Sequence, residues 1–196
     1  MAVGSRDRGA GWLAMAVGLI AIASFVSLIT FFLVGSPFGA LNDAGNAVTG
    51  ILSGVLALRL ASVRRTGMGI AALAVTGAAV TVVGSWLVMT DTTGFFLAGL
   101  VSSVGFALIG AWVLGFTAGV DLESGLRSLG WVAGGAMLVG LIAVPGIILG
   151  IDDMADVPAW LWTFGISWLG TYVLYPAWCL WLGRVHTVRA EHVAAD

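Results

Sequence analysis

Between residues 12 and 34 the chain carries no charged side chain, and it repeats this four more times, over 68–89, 95–118, 129–150 and 160–182. A helix needs about 20 apolar residues to cross a ~30 Å hydrocarbon core, so each run is long enough to be a membrane span. A sixth run, 47–61, is short on its own. It reaches spanning length if its helix starts near Asp43, where Asn42 or Asp43 would cap the free N–H groups of the first turn. Composition agrees with this: 60% of residues are hydrophobic, 9% are charged, and the mean hydropathy is +1.07. A water-soluble fold of 196 residues could not hide that much apolar surface. The chain therefore reads as all-α and polytopic, a single membrane domain over 1–196. Its six-transmembrane-helix bundle has spans at about 12–34, 43–61, 68–89, 95–118, 129–150 and 160–182, with a short cytoplasmic tail over 183–196.

Arginine sets the orientation. With the N-terminus in the cytoplasm, Arg6, Arg8, Arg64, Arg65, Arg127, Arg184 and Arg189 all fall on the inner side. Arg59 is the one charge inside a proposed span; one turn from the inner end, it can snorkel there as a membrane anchor. The outer face keeps Asp43, Asp91, Asp152, Asp153 and Asp156. This one-sided pattern is the positive-inside rule for a multi-pass protein of the cytoplasmic membrane with both termini inside. Tryptophans form two belts, Trp12, Trp131, Trp178 and Trp181 near the inner ends and Trp86, Trp160 and Trp162 near the outer. Trp112 and Trp168 lie deeper and call for packing partners. Arg6 and Arg8 ahead of an apolar run with Ala21 and Ala23 have the outline of a secretory signal, but the run continues to Val34, so a retained helix is expected.

Linkers are short, which leaves no soluble head. Splitting the chain after the third span gives two three-helix halves of opposite orientation, the arithmetic of an inverted repeat, without residue-level similarity between them. Small residues recur at four-residue spacing at Gly50 and Gly54, Gly115 and Gly119, Gly130 and Gly134, and Gly146 and Gly150. In lipid such pairs allow close backbone approach, within the bundle or in a homo-oligomer.

Polar residues inside the spans are the candidates for function. Thr163, Ser167, Thr171, Tyr175 and Cys179 follow one another at intervals of four, a ladder that lines either a solute path or a helix contact. Asn42, Asn46, Gly50 and Gly54 repeat the spacing at the outer end of the second span, polar groups at the mouth and glycines running inward. Pro145 and Pro176 each remove a backbone N–H and free a carbonyl one turn earlier, at Leu141 and Tyr172.

The outer acidic cluster Asp152, Asp153 and Asp156 forms a DDxxD run, and Asn42 to Asn46 forms NDxxN on the same face. Together these residues resemble the paired acidic motifs of membrane prenyltransferases. The resemblance implies Mg²⁺ and an isoprenyl diphosphate held by these side chains, in a metal-dependent membrane transferase. The chain departs from that family. Its motifs face outward where the family's site faces the cytoplasm, Asn46 stands where an Asp is usual, and no Arg or Lys is at hand to grip a diphosphate. The plain alternative is a solvated loop, with Asp156 near the N-terminus of the last helix.

Other chemistry lacks parts. Both histidines, His186 and His192, lie in the tail without an H-E-x-x-H pattern, no GxSxG elbow or Walker loop occurs, and Cys179 stands alone. No cofactor and no bound metal are expected, and a net charge of −2 argues against a nucleic-acid partner. The expected partners are the lipid bilayer, another membrane protein or a second copy of the chain. The sequence alone is read first as a non-catalytic accessory or interaction protein of the cytoplasmic membrane. The alternative is a channel or carrier for a small neutral or weakly polar solute, and the transferase is the remote third reading.

Overall fold

The computed structural model describes residues 3–64 and 67–195, with side chains over 8–62 and 67–187. Arg65 lies outside the described residues, as do the side chains of Arg6, Arg64, Arg189 and His192. Among the described residues there are helices and no strands: α1 (Val3–Val34), α2 (Phe38–Arg64), α3 (Met68–Met89), α4 (Phe95–Gly119), α5 (Ser124–Leu138), α6 (Ala143–Ile148), α7 (Gly165–Leu169) and α8 (Tyr175–Ala195). Among the described residues, five stretches are long and apolar enough to cross a membrane: Arg8–Val34, Phe38–Ser62, Met68–Met89, Phe95–Gly119 and Ser124–Ile148.

The apolar run over 160–182, read from sequence as one span with a break at Pro176, is a composite. A 3₁₀ turn (Leu161–Phe164) leads into α7, a π-turn (Gly170–Leu174) follows, and α8 continues. Pro176 supplies the cause, because it removes the N–H that would close the α-ladder onto the preceding turn. Pro145 acts the same way between α5 and α6, where the helix tightens to 3₁₀ over Val139–Ile142.

Helix α1 stops at Gly35, whose φ of +91° only glycine adopts freely and whose N–H bonds Phe31 O at 2.8 Å. Pro37 follows a cis bond, and α2 begins at Phe38. The sequence reading, which began this helix near Asp43 with Asn42 or Asp43 as its cap, is corrected here. Pro37 pre-sets the backbone just ahead of the first turn, so the helix starts earlier and both residues lie inside it.

The helices close a ring. Helix α1 packs on α2 and α8, α2 on α3, α3 on α4, α4 on α5, and α5 on the π-turn and α8. Glycine sets the separations. A Cβ on Gly77 would sit 2.5 Å from Gly105 O across α3 and α4, one on Gly134 would sit 2.8 Å from Gly110 O, and one on Gly183 would sit 2.7 Å from Gly11 O. Gly50 and Gly54 lie on Thr81 and Ala78 of α3, and Gly146 on Leu100. These faces are occupied by the chain itself, as close van der Waals packing in lipid requires.

One half of the bundle is filled by aromatics. Trp178 meets Trp112 and Phe116 edge-on, each at 6.0 Å, and stacks on Tyr175 at 6.1 Å. Trp178 is fully buried, so it is no belt residue as the sequence suggested. Trp112 and Phe116 need its ring as a wall. Trp12, Trp86, Trp131, Trp160, Trp162 and Trp181 remain exposed, where an interfacial ring belongs.

Candidate functional site

Four residues of α2, Asn42, Asn46, Thr49 and Ser53, follow a 4-3-4 spacing that stays on one face of a 3.6-residue helix. All four are buried. Around the upper pair the bundle assembles a polar cluster. The Ser24 hydroxyl of α1 has three acceptors in reach, Asn42 O at 2.9 Å, Asn46 Oδ1 at 3.0 Å and Asn42 Oδ1 at 3.2 Å. Tyr172, from the π-turn, accepts from Asn46 Nδ2 at 3.0 Å and can donate to Asn46 Oδ1 at 3.2 Å or Asn42 Oδ1 at 3.4 Å. Its ring stacks on Phe25 at 5.4 Å. Asp43 is 9% exposed and receives Asn42 Nδ2 at 3.4 Å. The only ion pair among the described residues is Arg127 with Asp121, on the surface, so Asp43 has no cationic partner there.

Asn42, Asp43, Asn46 and Tyr172 line one side of a cavity of about 40 Å³, and Leu28 of α1, Phe95, Phe96, Ser103 and Phe106 of α4, Trp168 and Thr171 line the rest. One water needs roughly 10–15 Å³ of such space, so the cavity takes a few water-sized particles. A typical metabolite pocket is roughly 300–1,000 Å³, well beyond it. One layer deeper, Tyr175 OH donates to Ser53 Oγ at 2.8 Å, and Ser53 Oγ to Thr49 O at 2.7 Å. The aromatic layer around Trp178 follows.

The ladder in the last span divides. Thr163 is exposed and bonds back to Trp160 O at 2.7 Å. Ser167 is buried, Thr171 lines the cavity, Tyr175 reaches Ser53, and Cys179 is buried. Intervals of four overshoot an α-turn, and the wider π-turn partly restores the alignment of Thr171 with Tyr175. Tyr172, one residue off the ladder, was missed as a site residue; a second tyrosine three residues before Tyr175 was the available signal. Gly50 and Gly54 turn to α3 rather than to the cavity, so no bare backbone is offered to a solute there.

Arg59 is exposed near the far end of α2, its guanidinium lying over Gly9 of α1, where a Cβ would collide with it. Asp152 and Asp153 bond to main-chain amides. Asp152 accepts from Gly94 N at 2.6 Å and Leu97 N at 3.1 Å, capping α4 from across the loop, and Asp153 accepts from Ala155 N at 2.8 Å. Asp156 is exposed. Among the described residues no three His, Cys, Asp or Glu side chains converge as metal ligands. Asp152→Ala should therefore cost about 1 kcal/mol, the loss of a helix cap, read as a fall of about 2–4 °C in the unfolding midpoint in detergent. Asp156→Ala should leave the midpoint unchanged; an equal fall would refute the capping account.

No protein-family pattern, curated protein or solved structure matches the chain.

Proposed function

We propose that the chain spans the cytoplasmic membrane six times with both termini inside, and that it serves as a carrier or channel-like protein for a small polar solute. The solute would be held at Asn42, Asp43, Asn46 and Tyr172. The observation that carries this reading is Asp43, a buried carboxylate without an ionic partner among the described residues, on the polar side of a small cavity. Ionisable groups inside membrane spans are costly and characteristically mark solute or ion paths. The aromatic layer beneath Tyr175 closes the opposite half, which fits a binding site reached from one side at a time. The one-sided arginines support the six-span orientation.

The accessory reading is supported by a different observation. Ile51, Val55 and Leu58 of α2 and Val75, Ala79 and Val82 of α3 line an exposed apolar groove of about 470 Å³. A helix of another membrane protein would seat there.

Cysteine labelling separates these readings. In a Cys179→Ala background, cysteines at Ala40, Thr92 and Ala155 should react from outside, and those at Ser62 and Ser124 should not. Outside labelling at Ser62 would overturn the topology. Ser103→Cys and Thr171→Cys should react with Ag⁺, a thiol reagent small enough for the cavity, while Ala57→Cys in the aromatic half stays silent. Unreactive cysteines at both cavity positions would remove the solute site and leave the accessory reading.

A further inference from the structure

We propose that the cavity beside Asp43 is a binding site for one small monovalent cation, with the Asp43 carboxylate as its counter-charge. The inference rests on the reading of this cavity as the functional site and names what it takes.

Charge is the first argument. A carboxylate this buried is costly unless paired. The start of α2 does not compensate it, because Asp43 lies beyond the first turn, where the effect of the helix dipole has fallen off. Its one donor, Asn42 Nδ2, sits at 3.4 Å. One negative charge balances one positive charge, whereas dedicated Ca²⁺ sites gather several carboxylates.

The second argument is the oxygen content of the lining beside Asp43. Asn42, Asn46 and Tyr172 all line the cavity, and their side chains bring two amide oxygens and one phenol oxygen. Hard oxygen donors of this kind suit an alkali cation or ammonium rather than a transition metal.

Size and walls agree. About 40 Å³ admits a stripped cation with a water or two and no organic ammonium of metabolite size. Phe95, Phe96, Phe106 and Trp168 form the apolar wall on the other side.

The test uses the purified full chain in detergent, with thermal unfolding followed by tryptophan fluorescence in NaCl, KCl or NH₄Cl at ionic strength fixed with choline chloride. A saturable rise over choline alone is expected. It should reach about 5–10 °C at a hundredfold excess over half-saturation. The order of the three salts tells an alkali cation from ammonium. Asp43→Asn should fold and lose the response. If that variant does not yield folded protein, Tyr172→Phe, which removes one ligand oxygen, should raise the half-saturating concentration roughly tenfold. No rise over choline in the unaltered chain overturns the proposal, as does a rise that survives Asp43→Asn or a half-saturation unchanged in Tyr172→Phe. Labelling at Ser103→Cys without any cation response would sink the cation and leave the solute site standing.

Discussion

Gly105→Val should prevent stable assembly of the bundle, while Gly135→Ala should fold at least as well as the unaltered chain. A Cβ at Gly105 would lie 2.6 Å from Thr81 N and 2.7 Å from Gly77 O, both backbone atoms of α3 that cannot swing away. The helices must then separate, and the contact that replaces hydrophobic drive in lipid is lost along the whole α3–α4 seam. Overpacking of this kind costs about 1–3 kcal/mol, and the rigidity of both partners puts Gly105→Val at the upper end or beyond. Gly135 is also in a helix, yet a Cβ there meets nothing within 4 Å. Gly135→Ala should gain up to about 1 kcal/mol of helix propensity. Monodispersity and unfolding midpoint in detergent read both. A well-folded Gly105→Val would show that the close approach of α3 and α4 is not required.

Trp178→Ala is expected to be the most damaging truncation in the bundle. The indole forms the shared wall of Trp112, Phe116 and Tyr175, and its loss leaves those three rings facing a void. In a soluble core a Trp→Ala change costs about 3–5 kcal/mol. Part of that is transfer from water, which lapses when the unfolded reference is a helix in lipid. The cavity and lost dispersion contacts remain, at about 2–4 kcal/mol. Trp131→Ala, at an exposed position, should change the midpoint far less. Equal effects of the two would mean that Trp178 does not hold the aromatic layer together.

Helix class and the long apolar helices were legible because hydropathy acts through bulk solvent, which every residue of a run feels alike. The interior was less legible, since it depends on which face of a helix meets which neighbour. Asn42 reads as a cap from its place before an apolar run, but Pro37 starts α2 earlier and turns the same side chain into an interior group. The 4-4-4 series through Gly50 and Gly54 competed with the 4-3-4 series through Thr49 and Ser53. Only the second keeps pace with 3.6 residues per turn, a distinction available from geometry alone. Trp178 sits at the height of a membrane belt and faces inward; height is written in sequence position, facing is not. Tyr172 depends on a π-turn, for which Pro176 is a hint without a register.

The partners of the polar cluster are far apart along the chain. Asn46 meets Tyr172 across 126 positions and Ser53 meets Tyr175 across 122. At about 5–20 residues per second of synthesis, the hairpin of α1 and α2 waits on the order of 6–25 s before its tyrosines emerge. During that interval the amides of Asn42 and Asn46 and the carboxylate of Asp43 have to be sheltered from acyl chains. The contact of α1 and α2 with the π-turn is thus among the last to close, and it closes over Asn42 and Asn46. Biogenesis of this chain becomes a matter of timing: a slowed ribosome or a missing insertase should show its effect first as degradation of nascent α1–α2, before any helix downstream has failed to insert.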